Sequence, residues 1–108
     1  MNDAFIYKKS MDLKISLAGA RRIFESAFVD MARLMAELEA RIKAGDHGGA
    51  QEISHQIKGM CINLQFIEIQ NTVQEINSLA RRCEDMTTIQ EAFQVLVKQH
   101  ELLVKAVE

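Results

Sequence analysis

The sequence predicts an all-α protein, an antiparallel four-helix bundle with a short additional helix at its N-terminus. The 108 residues contain no proline, and the good helix formers Met, Leu, Ala, Glu, Lys and Gln dominate. The β-branched residues nowhere alternate with polar ones over a useful length, so no strand is predicted. Four segments instead carry apolar residues at helical spacing.

In each of these four segments an apolar residue recurs every three or four positions, as on one face of a helix. The four stripes are Phe24, Phe28, Met31, Met35, Leu38 and Ile42; Ala50, Ile53, Ile57, Met60 or Cys61, and Leu64; Ile69, Val73, Ile76, Ala80 and Cys83; and Ile89, Phe93, Leu96, His100, Leu103 and Val107. Because the connections between them are short, neighbouring helices should run antiparallel in a bundle. Leu13, Ile15 and Leu17 predict the short additional helix, which would cover one end.

Two turn-rich stretches and one weaker break separate the stripes. Residues 44–49, AGDHGG, offer Asp46 as a cap for the helix that follows. Residues 83–87 are followed by a helix that Asp85, Thr87 or Thr88 could cap, and a third break is needed at 65–68. We therefore predict a single domain over residues 1–108, with its bundle core at about residues 20–107.

The composition excludes several classes of protein. With 48% apolar and 26% charged residues, the chain is neither disordered nor fibrous. The net charge is −2 and there are no long runs of one sign, so the sequence does not predict a basic surface that would bind nucleic acid or an anionic membrane. No apolar run approaches the roughly 20 residues of a membrane span, and the N-terminus does not resemble a signal peptide. We expect a cytoplasmic, monomeric protein.

The cysteines and histidines do not predict a metal site. Cys61 and Cys83 lack metal-binding spacing and are expected as free thiols, and no histidine pair has the spacing that begins a zinc site. We expect His47 to be a turn residue and His100 to be hydrogen-bonded near one end of the bundle. Two pairs of basic residues, Arg21–Arg22 and Arg81–Arg82, are interpreted as solvated helix surface. The second pair lies near a helix C-terminus, where the helix dipole favours positive charge.

His55 is the candidate functional residue, because the helical wheel turns it away from the core. At about 100° per residue, it lies roughly opposite the centre of its segment's apolar stripe. Gln51, Lys58, Gly59 and Ile62 lie at offsets of −4, +3, +4 and +7, so they share its face. A random surface histidine is the alternative, but these neighbours favour a docking site.

The chemistry of that face suits phosphoryl transfer. A neutral imidazole nitrogen is a nucleophile near pH 7, and no second catalytic residue for acyl transfer is evident beside it. Phosphoryl transfer depends mainly on positioning and charge stabilisation, and Lys58 could offset phosphate charge. Gly59 costs the helix about 1 kcal/mol relative to alanine, a cost explained if a bulky partner must approach His55 closely.

Residues 44–65, AGDHGGAQEISHQIKGMCINLQ, resemble the signature of histidine phosphotransfer (HPt) domains. That signature has a Gly-Asp loop, a His-x-Leu-Lys-Gly core and a later Asn-Leu-Gly segment. Here the core reads His55-Gln56-Ile57-Lys58-Gly59, and the later segment reads Asn63-Leu64-Gln65. The resemblance covers most of residues 20–107.

The resemblance implies that His55 is the phosphoacceptor, Lys58 a supporting cation and Gly59 a clearance residue, with Gln51 and Ile62 in the docking face. Such domains relay phosphoryl groups between receiver-domain aspartates of response regulators and hybrid sensor histidine kinases. They are phosphocarriers without kinase activity of their own. They need no cofactor, since Mg²⁺ belongs to the partner receiver domain.

Three residues depart from the family pattern. Ser54 precedes the histidine where the family usually has alanine, and Gln65 replaces the glycine of the Asn-Leu-Gly segment. Ile62 stands where the family usually has a small residue, which would enlarge the docking patch or narrow the choice of partner.

Two alternative functions are non-catalytic. The departures at Ile62 and Gln65 would also suit a helical binding module that docks a receiver or a partner helix, and a dimerising structural bundle is a third possibility.

Histidine kinase dimerisation helices carry a related Ser-His pattern. They normally have an acidic residue after the histidine and a nearby proline. This chain instead has Gln56 after the histidine, Gly59 at +4 and no proline, so we reject that interpretation.

Overall fold

A computed structural model describes every residue from Met1 to Glu108. It contains five helices and no strand: α1 (Asp3–Leu13), α2 (Leu17–Lys43), α3 (His47–Leu64), α4 (Ile67–Arg81) and α5 (Met86–Val107). The short connections at 44–46, 65–66 and 82–85 make consecutive helices antiparallel, and α2 to α5 form a four-helix bundle. The predicted fold class, including the additional N-terminal helix, is confirmed.

One cluster of 23 buried residues fills the space between the helices. The predicted stripes supply most of it, and Phe24, Ile57, Ile76, Phe93 and Leu96 are at most 1% exposed. Burying each such side chain stabilises the fold by roughly 1.5–3 kcal/mol relative to leaving it in water.

The two cysteines differ in position. Burial raises the pKa of the Cys61 thiol to about 11, so it is a neutral core side chain. The placement of Cys83 in the stripe of α4 is wrong. The helix ends at Arg81, and Cys83 is exposed in the turn that follows, with φ at 54°.

The additional helix begins earlier in the chain than the apolar residues 13–17 indicated. The Asn2 side chain accepts a hydrogen bond from the Phe5 amide and caps α1, whose Ile6 is 1% exposed. Lys14 takes the left-handed conformation and ends the helix. Leu17 is 52% exposed and starts α2 after the Ser16 cap, so it is not part of the additional helix.

The predicted caps of the later helices are confirmed where they are aspartates. Asp46 accepts a 2.8 Å hydrogen bond from the Gly49 amide at the start of α3. Asp85 accepts one of the same length from the Thr87 amide at the start of α5. Both satisfy amide groups that the first turn of a helix leaves without intrahelical partners.

Two histidines differ from their predicted roles. His47 is the first residue of α3, where its Nε2 donates a 2.6 Å hydrogen bond to the Glu84 carbonyl and ties α3 to the α4–α5 connection. His100 is partly buried on α5, and its buried Nε2 has no hydrogen-bond partner, so the expected hydrogen bond is absent. Burial lowers the pKa of His100, an effect that nearby Glu101 opposes.

None of the five helices combines the length and the apolar character that crossing a membrane would require. No group of three or more His, Cys, Asp and Glu side chains is arranged to hold a metal ion.

Candidate functional site

Helix α3 presents His55 to solvent near its middle. The opposite side of the helix packs into the core through its buried apolar residues Ala50, Ile53, Ile57, Cys61 and Leu64. Because these residues occupy one stripe, His55 is left exposed, as the periodicity predicts. Core contacts on one side of α3 fix the position of the His55 backbone, while the imidazole on the other side stays open to solvent.

Gly59, one turn after His55, has no structural reason to be glycine. The position is exposed and helical, and a Cβ added there would meet no atom within 4 Å. An alanine would fit and would favour the helix by roughly 1 kcal/mol. The absence of a side chain therefore does not serve the packing of this chain.

The other predicted docking and charge residues follow along the same helix. Lys58 is partly buried, and Ile62 is 49% exposed on a face where a polar residue would be the rule. A groove between α2 and α3 is lined in part by Ile23, Met60 and Leu64. Ile23 is 44% exposed, so apolar surface is present on both α2 and α3.

His55 opens onto a groove between α3 and α4 that contains no apolar residue. Its lining residues are Gly48, Gln51, Glu52, His55, Gln56, Asn77 and Arg81. Of the predicted site residues, the groove brings together His55 and Gln51. Lys58, Gly59 and Ile62 lie outside its lining, further along α3.

A polar network beneath this groove joins α3 to α4, and sequence reasoning missed it. Asn77 is 3% exposed, and its Nδ2 donates to the Gln51 carbonyl at 3.0 Å and to Ser54 Oγ at 3.3 Å. Ser54 is fully buried, and its hydroxyl donates to the same carbonyl at 3.0 Å. Arg81 Nη2 in turn donates to Asn77 Oδ1 at 2.7 Å.

Two signals in the sequence could have revealed the network. Asn77 follows Ile76 inside the apolar stripe of α4, and a buried amide needs partners. Ser54 likewise stands in a buried position where the resemblance leads one to expect alanine. The interpretation of Arg81 as simple solvated surface is incomplete, because it is exposed but held by Asn77. Arg82 is exposed and lies 3.7 Å from Glu84.

The C-terminus of α3 shows how Gln65 is accommodated in place of glycine. Gln65 adopts φ 60° and ψ 42°, the left-handed conformation that glycine occupies without strain. Lys9 of α1 donates to the carbonyls of Leu64 and Gln65 at 3.1 and 3.3 Å, and its Nζ lies 5.0 Å from the centre of the Phe66 ring. Burial lowers the pKa of Lys9, opposed by Asp12.

Comparison with known proteins identifies the family to which the chain belongs. Searches of curated proteins and of solved structures found no match. The family model described as Hpt domain matches residues 22–107, which include the exposed histidine and all of α3, α4 and α5. Hpt domains carry out histidine phosphotransfer in two-component phosphorelays, where they interact with receiver domains and kinases. Since the match covers most of the sequence, the chain belongs to the Hpt domain family.

Proposed function

We propose that His55 is the phosphoacceptor of this protein. It takes a phosphoryl group from the aspartyl phosphate of one receiver domain and passes it to the aspartate of another, in the cytoplasm. The observation that carries the proposal is the solvent-exposed imidazole in the middle of α3, within the segment His55–Gly59 that resembles the family's core motif.

The transfer balances without a proton acceptor. The neutral imidazole keeps its proton on Nδ1 and attacks phosphorus with the lone pair of Nε2. The new Nε2–P bond forms as the bond between phosphorus and the aspartate oxygen breaks, and the aspartate leaves as a carboxylate. Because Nε2 shares its lone pair with phosphorus while Nδ1 keeps its proton, the phosphorylated ring carries a positive charge. Return of the phosphoryl group to an aspartate reverses each step.

The neighbours of His55 have distinct roles in this proposal. Lys58 offsets charge on the phosphoryl oxygens as a point cation. Gly59 leaves the space through which the partner's active site approaches, since the chain itself leaves that space open. Gln51 and Ile62 contribute to the docking face. Mg²⁺ is held by the receiver domain, so this protein needs no cofactor and acts as a phosphocarrier without kinase activity.

Phosphorylation of wild-type protein and of the variant His55→Gln tests the assignment. Each is incubated with phosphoramidate, and separately with a phosphorylated receiver domain, and is then examined by phosphorus NMR and intact mass. We expect one acid-labile phosphohistidine in the wild type and none in His55→Gln. The matched control is His47→Gln, which replaces a histidine of the same helix and should be phosphorylated like the wild type.

Two results would contradict the proposal. Phosphohistidine in His55→Gln would move the site to another histidine. Folded wild-type protein that accepts no phosphoryl group from phosphoramidate or from several receivers would favour a non-catalytic docking module instead.

A further inference from the structure

The orientation of the Asn77 side chain is fixed by the groups around it. Both acceptors near its Nδ2, the Gln51 carbonyl and Ser54 Oγ, lie within 3.3 Å, while its Oδ1 accepts from Arg81. Rotating the amide by 180° would set Oδ1 against a carbonyl oxygen and Nδ2 against a guanidinium, two repulsive contacts. The amide therefore has one favourable orientation, and that orientation presents its oxygen to Arg81.

This contact ties a cation to the groove that contains His55. Arg81 lies at the last position of α4 and would otherwise be free to move in solvent. Its Nη2 is instead held 2.7 Å from a side chain that is 3% exposed and itself bonded to α3. The anchoring carbonyl belongs to Gln51, one helical turn before His55 on the same face. The guanidinium and the imidazole thus line one groove, and the buried network that holds Arg81 reaches Gln51 and Ser54 on the helix that carries His55.

The charge of Arg81 is held there without being neutralised. Arg82, the next residue, lies 3.7 Å from Glu84, whereas Arg81 has no carboxylate oxygen within 4.0 Å. Glu52 lines the same groove and is not paired with Arg81. One guanidinium N–H is used by Asn77, so the other donors remain open to a ligand. A planar guanidinium with free donors can bind two oxygens of a phosphoryl group at once.

We propose that Arg81 binds the phosphoryl group on His55, and that Ser54 and Asn77 are positioning residues that hold Arg81 for this contact. The inference rests on the proposed phosphorylation of His55. It assigns the phosphoryl group two cations in different places: Lys58 on α3 outside the groove, and Arg81 on α4 within it. It also explains why position 54 is a serine, since the Ser54 hydroxyl accepts a hydrogen bond from Asn77 Nδ2.

Three variants of neighbouring arginines test the proposal. Rates of phosphohistidine formation are measured with phosphoramidate and with a phosphorylated receiver for Arg81→Gln, Arg81→Lys and the matched control Arg82→Gln. We expect Arg81→Gln to slow both reactions about tenfold, the loss of one charge-assisted contact, with a smaller loss in Arg81→Lys. Arg82→Gln makes the same change in net charge outside the groove and should stay within about twofold of wild type.

A second pair of variants tests the positioning role. Asn77→Ala retains the arginine but releases it, and should slow both reactions at least about threefold. Because removal of a buried amide could also destabilise the bundle, Ser54→Ala serves as the milder change, with a loss in the same direction. Thermal unfolding confirms that each variant is folded. In the wild type, phosphorylation of His55 should shift the NMR signal of the Arg81 Nε–H group, which a purely structural arginine would not show.

Each remaining outcome overturns the proposal in a recognisable way. Slowing by Arg81→Gln with the receiver alone would mean that Arg81 contacts the partner's surface and not the phosphoryl group. Wild-type rates with both donors would refute the role of Arg81 while leaving His55 as the phosphoacceptor. Absence of phosphohistidine in the wild-type protein would remove the proposed function and this inference together.

Discussion

At the scale of single residues, Gly59 is a position where a larger residue would fit and would stabilise the helix, yet the residue is glycine. A Cβ at this position would favour the helix and would meet no other atom of the chain within 4 Å. The conflict is resolved if the free space belongs to a partner. The glycine then limits the stability of α3 in favour of access to His55, the kind of compromise expected at functional positions.

Replacing Gly59 with leucine separates access from chemistry. We expect Gly59→Leu to raise the free energy of unfolding by up to about 1 kcal/mol, because leucine is the better helix former. Transfer from a receiver domain should slow at least about tenfold, while phosphorylation by small phosphoramidate should change less than about twofold. Chemical denaturation and the two transfer rates provide the measurements.

The control for this variant adds the same side chain elsewhere. Ala36 is exposed on α2, one turn after Ala32, which lies in a groove shared with α5. Ala36→Leu should therefore leave both transfer rates unchanged. Equal slowing of phosphoramidate and receiver reactions by Gly59→Leu would show that the glycine shapes the imidazole site itself and does not provide clearance.

Residues of one helix were predictable from the sequence, whereas residues brought together from two helices were not. His55, Lys58 and Gly59 lie within one turn, so the helical repeat alone places them on one face. Asn77 meets Gln51 across a sequence separation of 26 residues. That contact depends on how α4 rotates and shifts along α3, which the apolar stripe of α4 does not define closely enough.

At the scale of helices, the aspartate-capped starts of α3 and α5 were predicted well, whereas the ends of α1 and α4, each followed by a left-handed residue, were predicted poorly. Asp46 and Asp85 are strong capping residues with a recognisable pattern. Lys14, Gln65 and Cys83 have positive φ values although none is glycine, so their identity did not mark them as left-handed residues, although a break was predicted at 65–68. The ends of α1 and α4 were misjudged for this reason, whereas the beginning of α1 was misjudged because the Asn2 cap was not recognised.

Gln65 provides the test of that local strain. The left-handed conformation costs a non-glycine residue roughly 1 kcal/mol, and the Gln65 contact to Lys9 uses only its backbone carbonyl. Gln65→Gly should therefore raise the free energy of unfolding by about 1 kcal/mol, measured by chemical denaturation. Gln94→Gly, in the exposed interior of α5, should lower it by a similar amount. Destabilisation by both variants would show that the Gln65 side chain contributes contacts that outweigh its backbone strain.

At the scale of the whole molecule, α1 is joined to the bundle although it precedes the residues that match the Hpt family. Ile6 is buried in the common core, and the Phe5 ring meets Phe24 of α2 edge-on at 5.4 Å. Lys9 reaches the last carbonyls of α3, so α1 also stabilises the end of the helix that carries His55. These contacts hold α1 at the bundle end and leave the groove beside His55 uncovered.

Truncation of Ile6 measures what α1 contributes to the whole fold. Ile6→Ala leaves a cavity at a position 1% exposed and should lower the free energy of unfolding by about 3 kcal/mol. The adjacent Tyr7 is 57% exposed, so Tyr7→Ala should change it by less than about 0.5 kcal/mol. Since neither side chain lines the groove, both folded variants should accept phosphoryl groups at the wild-type rate. If α1 instead unfolds separately, Ile6→Ala will leave the main unfolding transition in place, and the helix signal will show an earlier, smaller transition.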